Sequence, residues 1–289
     1  MKPAPFKYLR PRSLEEALAL VAEHGSDAKP LAGGQSLIPA MNFRLATPAV
    51  LVDLNMIDEL AYIAIDGDLR IGAMTRQRAV ERSPLVARLA PLLAEAMPSI
   101  AHPAIRNRGT IGGSLAHADP AAELPAVMLA LDATMVVRTA ARHRSIAAAE
   151  FFTGLFATAM EPGELLTEIR IPAGTERSGF AFGEISRRHG DFALAGVAAS
   201  VSLDEKGRCA DARIALLSVA DRAVLAVAAR GALRGELPTD QVARVAATAA
   251  ADEIDPPGDI HASAKYRRQL VSVLTRRVLE TAFARATSA

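Results

Sequence analysis

Two glycine-containing segments hold the residues of this chain best suited to chemistry: Ala32-Gly33-Gly34-Gln35-Ser36 and Thr110-Ile111-Gly112-Gly113-Ser114. Each pair sits where an apolar run breaks into a turn, and each segment ends in a serine. A Gly-Gly pair lets the backbone turn without a Cβ and come close to a ligand. Its free N–H groups then form a concavity for an anion, and a nearby hydroxyl adds a donor. Two such segments, far apart in sequence, suit one diphosphate gripped from two sides. Taken alone, either pair reads more simply as an ordinary tight turn. No Gly-x-Gly-x-x-Gly follows a predicted strand, and no Gly-Lys-Ser or Gly-Lys-Thr occurs. Phosphate held here is therefore held neither by a Rossmann turn nor by a P-loop.

The elements that must position these segments read as an α+β fold. Ser13-Leu14-Glu15-Glu16 is a capping box, which predicts a helix over 14–24 closed by Gly25. Residues 29–32 form a strand feeding the first glycine pair, and 50–54 a second, giving a small α/β unit over 1–56. Asp66-Gly67-Asp68 between apolar runs is a hairpin signal. A helix over 84–96 starts at Ser83-Pro84, with proline in its first turn. Residues 98–109 read as a loop, 124–131 as a helix, and 135–138 and 165–171 as strands. Together they make a second α+β unit over 57–175. After a linker near 174–179, strands at 197–203 and 213–217 flank Asp204-Glu205-Lys206-Gly207. Helical stretches near 221–233, 239–251 and 263–285 complete a third unit, 176–289, of sheet followed by helices.

Bulk properties exclude several functions. A formal net charge of +1 over 289 residues gives no reason to expect a nucleic-acid partner. One cysteine, Cys209, leaves no internal disulfide and no iron–sulfur cluster ligated by this chain alone. That is consistent with a reducing compartment. The N-terminal residues lack the apolar core of a signal peptide. No apolar run reaches the roughly 18 residues of a membrane span. The expectation is a cytoplasmic protein.

Set among their neighbours, the two segments resemble a family. The run from Arg106 to Pro125 is similar to the FAD-binding medium subunit of the molybdenum hydroxylases, the group containing xanthine dehydrogenase and aerobic carbon monoxide dehydrogenase. The resemblance covers essentially the whole chain, through Phe6, Tyr8 and Pro11, Ala-Gly-Gly-Gln-Ser-Leu at 32–37, Glu-Pro-Gly-Glu-Leu-Leu at 161–166, and Arg-Arg-His-Gly-Asp-Phe-Ala at 187–193. The Gln35-Ser36 and Gly113-to-Asp119 variants most resemble bacterial N-heteroaromatic hydroxylases such as quinoline oxidoreductase. The resemblance implies two small FAD-binding subdomains of the vanillyl-alcohol-oxidase/PCMH type and a C-terminal antiparallel-sheet and helix-bundle domain.

It also implies FAD as the cofactor. Lys29, Pro30, Leu31, Ala32, Gly33, Gly34, Gln35, Ser36 and Leu37 would wrap its diphosphate. Thr110, Ile111, Gly112, Gly113 and Ser114 would touch the diphosphate and the flavin side. Glu123 falls where the family places a carboxylate on the adenosine ribose hydroxyls. Ile100 and Ala101 match positions near the ring system, Leu166 an apolar contact near adenine or ring, and Phe192 a residue beside the isoalloxazine face. His117 and Asp119 would contact FAD or brace the loop. Two departures stand out: Phe192 replaces the tyrosine of carbon monoxide dehydrogenases, and Ser114 the asparagine of many members. The implied partners are a large subunit with a molybdenum cofactor and a small subunit with two [2Fe–2S] clusters, assembled as a dimer of heterotrimers. Electrons would pass from substrate through the clusters to FAD and on to an external acceptor.

No residue reads as a general base or nucleophile, and flavin redox chemistry requires none from the protein. The His117-x-Asp119 pair has no third ligand nearby, so no metal is expected. Arg106 and Arg108 either face the pyrophosphate or tie down the loop. Arg187, Arg188 and Asp191 either set flavin electrostatics or form a solvated turn. His189 and His261 have no assigned partner, and Cys209 reads as a small buried apolar residue. Two rival readings remain: a self-contained FAD oxidase, and a scaffold that kept the fold and lost the cofactor.

Overall fold

Ser13 starts the first helix as its spacing predicts. Its Oγ accepts the Glu16 N–H at 3.2 Å at the head of α1 (Leu14–His24), and Gly25 closes the helix at φ +51. In the computed structural model, which describes residues 2–288, α1 buries Leu14, Ala17, Leu18 and Val21 against a parallel sheet. That sheet consists of β1 (Lys7–Leu9), β2 (Ala28–Leu31) and β3 (Val50–Asp53) in the order β1-β3-β2. β3 is buried along its whole length, as a central parallel strand should be. α2 (Leu37–Asn42) lies in the crossover from β2 to β3.

The second sheet is antiparallel. β4 (Ile63–Asp66) and β5 (Asp68–Gly72) form the hairpin predicted around Gly67. With β6 (Thr134–Arg138), β7 (His143–Ala147) and β10 (Leu165–Ile171), the order is β4-β5-β10-β6-β7. A small hairpin of β8 (Phe152–Gly154) and β9 (Ala157–Thr158) follows the one-turn α9 (Ala148–Phe151). Between β5 and β6 run α3 (Gln77–Arg82), α4 (Pro84–Leu89), α5 (Pro91–Ala96), α6 (Pro103–Arg106), α7 (Ile111–His117) and α8 (Glu123–Ala130). The single helix predicted over 84–96 is thus two. Pro91 has no N–H to continue the ladder, and Ala90 leaves the helical region at φ −137. The predicted loop over 98–109 contains the short α6, begun by Pro103.

The third sheet runs β11-β12-β13-β14, from β11 (Ser178–Ser186), β12 (Ala193–Leu203), β13 (Cys209–Leu217) and β14 (Val224–Leu225). Both faces are covered. Ala198, Ala215 and Leu217 join the core of the second sheet, whereas Val197, Ala199, Ile214 and Leu216 pack under α10 (Val227–Leu233), α11 (Asp240–Asp252) and α12 (Ala264–Ser288). Such strands lose the polar alternation of a half-exposed sheet. The helix predicted over 221–233 begins only at Val227, because Val224 and Leu225 pair with β13 instead. Cys209 is 1% exposed, and burial pushes its thiol up to about 11. Among the described residues, no helix is long and apolar enough to cross a membrane.

Arg106 decides one of the alternatives left by the sequence. It is 4% exposed and bidentate on Glu81, at 2.8 and 3.1 Å, and its Nη1 donates to the carbonyls of Ile100 at 2.7 Å and Ala101 at 3.2 Å. It ties down the loop. Replacing it with Met leaves Glu81 with Arg78 as its one cationic partner, at 2.8 Å, and strips the Ile100 and Ala101 carbonyls of their donor. Urea unfolding of Arg106→Met should lose about 2 kcal/mol of stability, as for buried acceptors left unsatisfied; an unchanged midpoint would show that these bonds carry no weight.

Candidate functional site

β2 ends at Leu31 and delivers the first glycine segment to the rim of the first sheet, from which α2 leads away. Gly34 sits at φ +73, a conformation that glycine adopts without steric cost. Gln35 folds back, and its Nε2 donates to the Gly33 carbonyl at 3.0 Å. That carbonyl and the Gly34 N–H share one planar trans peptide, so holding one aims the other the opposite way. Ser36 makes no capping bond to α2. Among the described residues, the N–H groups of residues 33–37 meet no acceptor. Backbone donors in folded chains are nearly always paired, and five consecutive free ones make a natural anion cradle.

The second segment is built differently and corrects the sequence reading. Gly112 and Gly113 do not turn; they occupy the first turn of α7. Thr110 caps that helix, its Oγ1 accepting the Gly113 N–H at 3.0 Å. The N–H groups of Ile111 and Gly112 go to Thr75 and Ala73 carbonyls at 3.1 and 2.9 Å. The donors read as a second nest are used inside the protein, and the glycines matter for their missing Cβ. A Cβ on Gly112 would lie 2.4 Å from Ala73 Cβ, and one on Gly113 3.1 Å from Ala32 Cβ. A Cβ on Gly33 would lie 2.4 Å from the Arg108 carbonyl oxygen and 2.7 Å from Gly109 Cα. The two segments touch backbone to backbone.

Other residues singled out in the sequence are held by local contacts of their own. His117 stacks at 5.0 Å from Phe156, and burial holds its imidazole below the ordinary value, with nearby Lys29 adding to the effect and Asp119 opposing it. Asp119 Oδ1 accepts the Ala121 N–H at 2.9 Å. Ile100 is buried, and Ala101 stands at φ +45, where L-residues are strained. The loop holding Phe192 packs on them: a Cβ at Gly190 would lie 2.9 Å from the Ala101 carbonyl oxygen. Phe192 itself is 68% exposed. Pro30 lies within β2, and Ser114 in α7 is partly exposed. Ile111 and Leu166 point into the second core. Arg187 reaches both Asp191 at 3.2 Å and His261 Nδ1 at 3.1 Å, a partner the sequence did not reveal.

Glu123 opens α8 and is 7% exposed. Burial pushes its carboxyl up to about 7, opposed chiefly by the hydrogen bond from its own backbone N–H; the charge of Asp119 adds a smaller rise and Arg106 a still smaller fall. Glu184 on β11 faces it across the junction of the second and third sheets. Burial, reinforced by Glu123, pushes Glu184 up to about 8, and its Oε2 is buried without a partner. Glu184 escaped the sequence reading because only the strand pairing brings it to Glu123. Asn55 and Arg76 escaped it too. Asn55 Nδ2 donates to the Ala32 carbonyl at 2.9 Å, and Arg76 bridges Asn55 Oδ1, at 2.6 Å, to the Arg108 carbonyl.

Residues 4–174 match the family of the FAD binding domain in molybdopterin dehydrogenase, and residues 180–282 the CO dehydrogenase flavoprotein C-terminal domain. The chain belongs to the FAD-binding subunits of the molybdenum hydroxylases. FAD is the cofactor of that family's domain, and its members are oxidoreductases. This family member is 45% identical to the 6-hydroxypseudooxynicotine dehydrogenase complex subunit alpha of Paenarthrobacter nicotinovorans, over 99% of this chain and 97% of that one. It is 40% identical to the carbon monoxide dehydrogenase medium chain of Hydrogenophaga pseudoflava, over 99% of both. It superposes on the crystal structure of quinoline 2-oxidoreductase from Pseudomonas putida 86 with a TM-score of 0.94 at 41% identity, covering 99% of each chain. The similarity to the molybdenum hydroxylases read from the motifs, and the fold read with it, are therefore correct.

The two raised carboxyls give a pH dependence with a definite sign. An unfolded carboxyl of this kind titrates near 4.5, whereas folded Glu123 and Glu184 keep their protons to about 7 and about 8. The folded state binds more protons in that window, so stability falls as pH rises through it. Thermal unfolding of the cofactor-free chain from about pH 5 to pH 8 should show this decline, and Glu184→Gln should flatten it. Identical slopes for the two proteins would remove Glu184 from the account.

Proposed function

We propose that this chain is the FAD-carrying electron-transfer subunit of a heterotrimeric molybdenum hydroxylase. The observation that carries the reading is the row of unpaired N–H groups at residues 33–37, pressed against the capped second segment. In this reading those N–H groups hold the diphosphate oxygens, and Thr110 to Ser114 form the wall beside them. Lys29 adds positive charge at the rim. Glu123, which has no protein side chain as partner, accepts hydrogen bonds from the vicinal hydroxyls of the adenosine ribose. Phe192 flanks the isoalloxazine with Ile100 and Ala101 behind it. FAD supplies the redox step, while the chain binds it, orients it and sets its surroundings. Residues 1–56 and 57–175 form the two subdomains that share the cofactor, and 176–289 the domain that brings Phe192 to it.

The relatives named as medium chains and complex subunits support an assembly with a molybdenum-bearing large subunit and a [2Fe–2S] small subunit, paired as a dimer of heterotrimers in the cytoplasm. Electrons reach FAD from the clusters and leave to an external acceptor. Relatives named for 6-hydroxypseudooxynicotine, caffeine and carbon monoxide lie at 45, 40 and 40% identity. That spread of substrates at near-constant identity supports placing the oxidised substrate on another chain.

A visible spectrum of the purified complex, and of this chain reconstituted with FAD, tests the reading. Flavin bands should appear in both and bleach with substrate only when the partner subunits are present. Bleaching on the isolated chain would replace the reading with a self-contained oxidase, and no flavin in either would leave a scaffold. A Cβ on Gly113 would press on Thr110 Oγ1, at 2.7 Å, and on Ala32, forcing the segments apart. Gly113→Val should therefore weaken FAD by at least about tenfold, which corresponds to about 1.4 kcal/mol. Unchanged FAD content in that variant would contradict the placement of the diphosphate.

A further inference from the structure

The two glycine segments are joined by side chains outside both motifs. Tyr8 Oη donates to Asp53, a carboxylate 6% exposed at the end of β3. Asp53 Oδ1 accepts the N–H of Asn55 at 2.9 Å and also its side-chain Nδ2. The same Nδ2 reaches the Ala32 carbonyl, the last one before Gly33, at 2.9 Å. Asn55 Oδ1 accepts Arg76 Nη2 at 2.6 Å, and Arg76 Nη1 ends the chain on the carbonyl of Arg108. The series therefore starts on β1 and ends on the loop that presses against Gly33.

Two physical consequences follow. The Ala32 carbonyl and the Gly33 N–H lie on opposite edges of one planar peptide, so Asn55 holding the first aims the second. The guanidinium has a rigid fork of donors, which lets a single side chain hold Asn55 and Arg108 at a fixed separation. Arg76 is also a half-buried cation with no carboxylate within ion-pair distance among the described residues, the nearest charge effects being Arg108 and, more weakly, Asp53.

We infer that Asn55 and Arg76 lock the first glycine segment onto the loop that leads into the second, and that Arg76 is thereby a positioning residue for the diphosphate held at that junction. This rests on the FAD reading above. Arg76 acts through the Asn55 side chain and the Arg108 carbonyl rather than as a simple countercharge.

The test is FAD titration of the full-length, cofactor-stripped chain, followed by flavin fluorescence, with thermal unfolding of each cofactor-free variant alongside. Arg76→Gln and Asn55→Ala should each weaken FAD at least about tenfold, as loss of a charge-assisted hydrogen bond predicts. The double variant should be little worse than the weaker single one, because both changes break the same link. Arg76→Lys keeps the charge but has no fork, and should remain weak. Restoration of wild-type affinity by Lys would show a plain charge effect and overturn the inference, as would additive losses or unchanged affinity. Should Arg76→Gln fail to unfold cooperatively, Asn55→Ala carries the test. Failure of both to fold would place the link in the fold rather than in the cofactor site, and would overturn the inference. A wild-type chain that binds no FAD would instead sink the reading beneath it.

Discussion

One close approach governs the rest: the backbone at residue 33 lies so near residues 108 and 109 that no Cβ fits between them. A segment following β2 and a segment preceding α7 must meet without side chains. The parallel sheet sets the position of the first, and the second sheet, through Ala73 and Thr75, sets the second. Everything that the site offers a ligand follows from that meeting. If either sheet shifted by a residue, the free N–H row and the helix cap would no longer face each other.

The division of labour between the segments is electrostatic. The first leaves its donors unpaired and open to an anion; the second consumes its own in the Thr110 cap and supplies a rigid wall. A site built from backbone dipoles needs few charged side chains. Apart from Arg76, which joins the two segments, the charged groups sit at the margins. Lys29 and His117 stand at one rim, and Glu123 with Glu184 at the seam between the second and third sheets. The third sheet lends one face to each neighbour, so the loop carrying Phe192 joins two strands fixed by two cores.

Local signals were legible in the sequence wherever local chemistry decides. Ser13 capped its helix, the Asp66-Gly67-Asp68 hairpin formed, and Cys209 was buried. The resemblance of the motifs also led to the right family. What the sequence hid was pairing across space. Gly112 and Gly113 looked like a turn because two glycines usually break helices, whereas Thr110 and the carbonyl of Ala73 recruit them into one. Pro91, in plain view, split a helix that periodicity alone ran through. Glu184, Asn55 and Arg76 have unremarkable neighbours in the chain, and only the sheet register and the loop junction give them partners.

The most direct test of the central claim is the backbone amide spectrum of the 15N-labelled, cofactor-free chain during titration with FAD. The amides of Gly33 through Leu37 should shift strongly and gain protection from hydrogen exchange. Those of Gly112 and Gly113, already bonded within the protein, should stay protected throughout. FAD binding that leaves residues 33–37 unmoved, or that engages the amides of Gly112 and Gly113 instead, would contradict it.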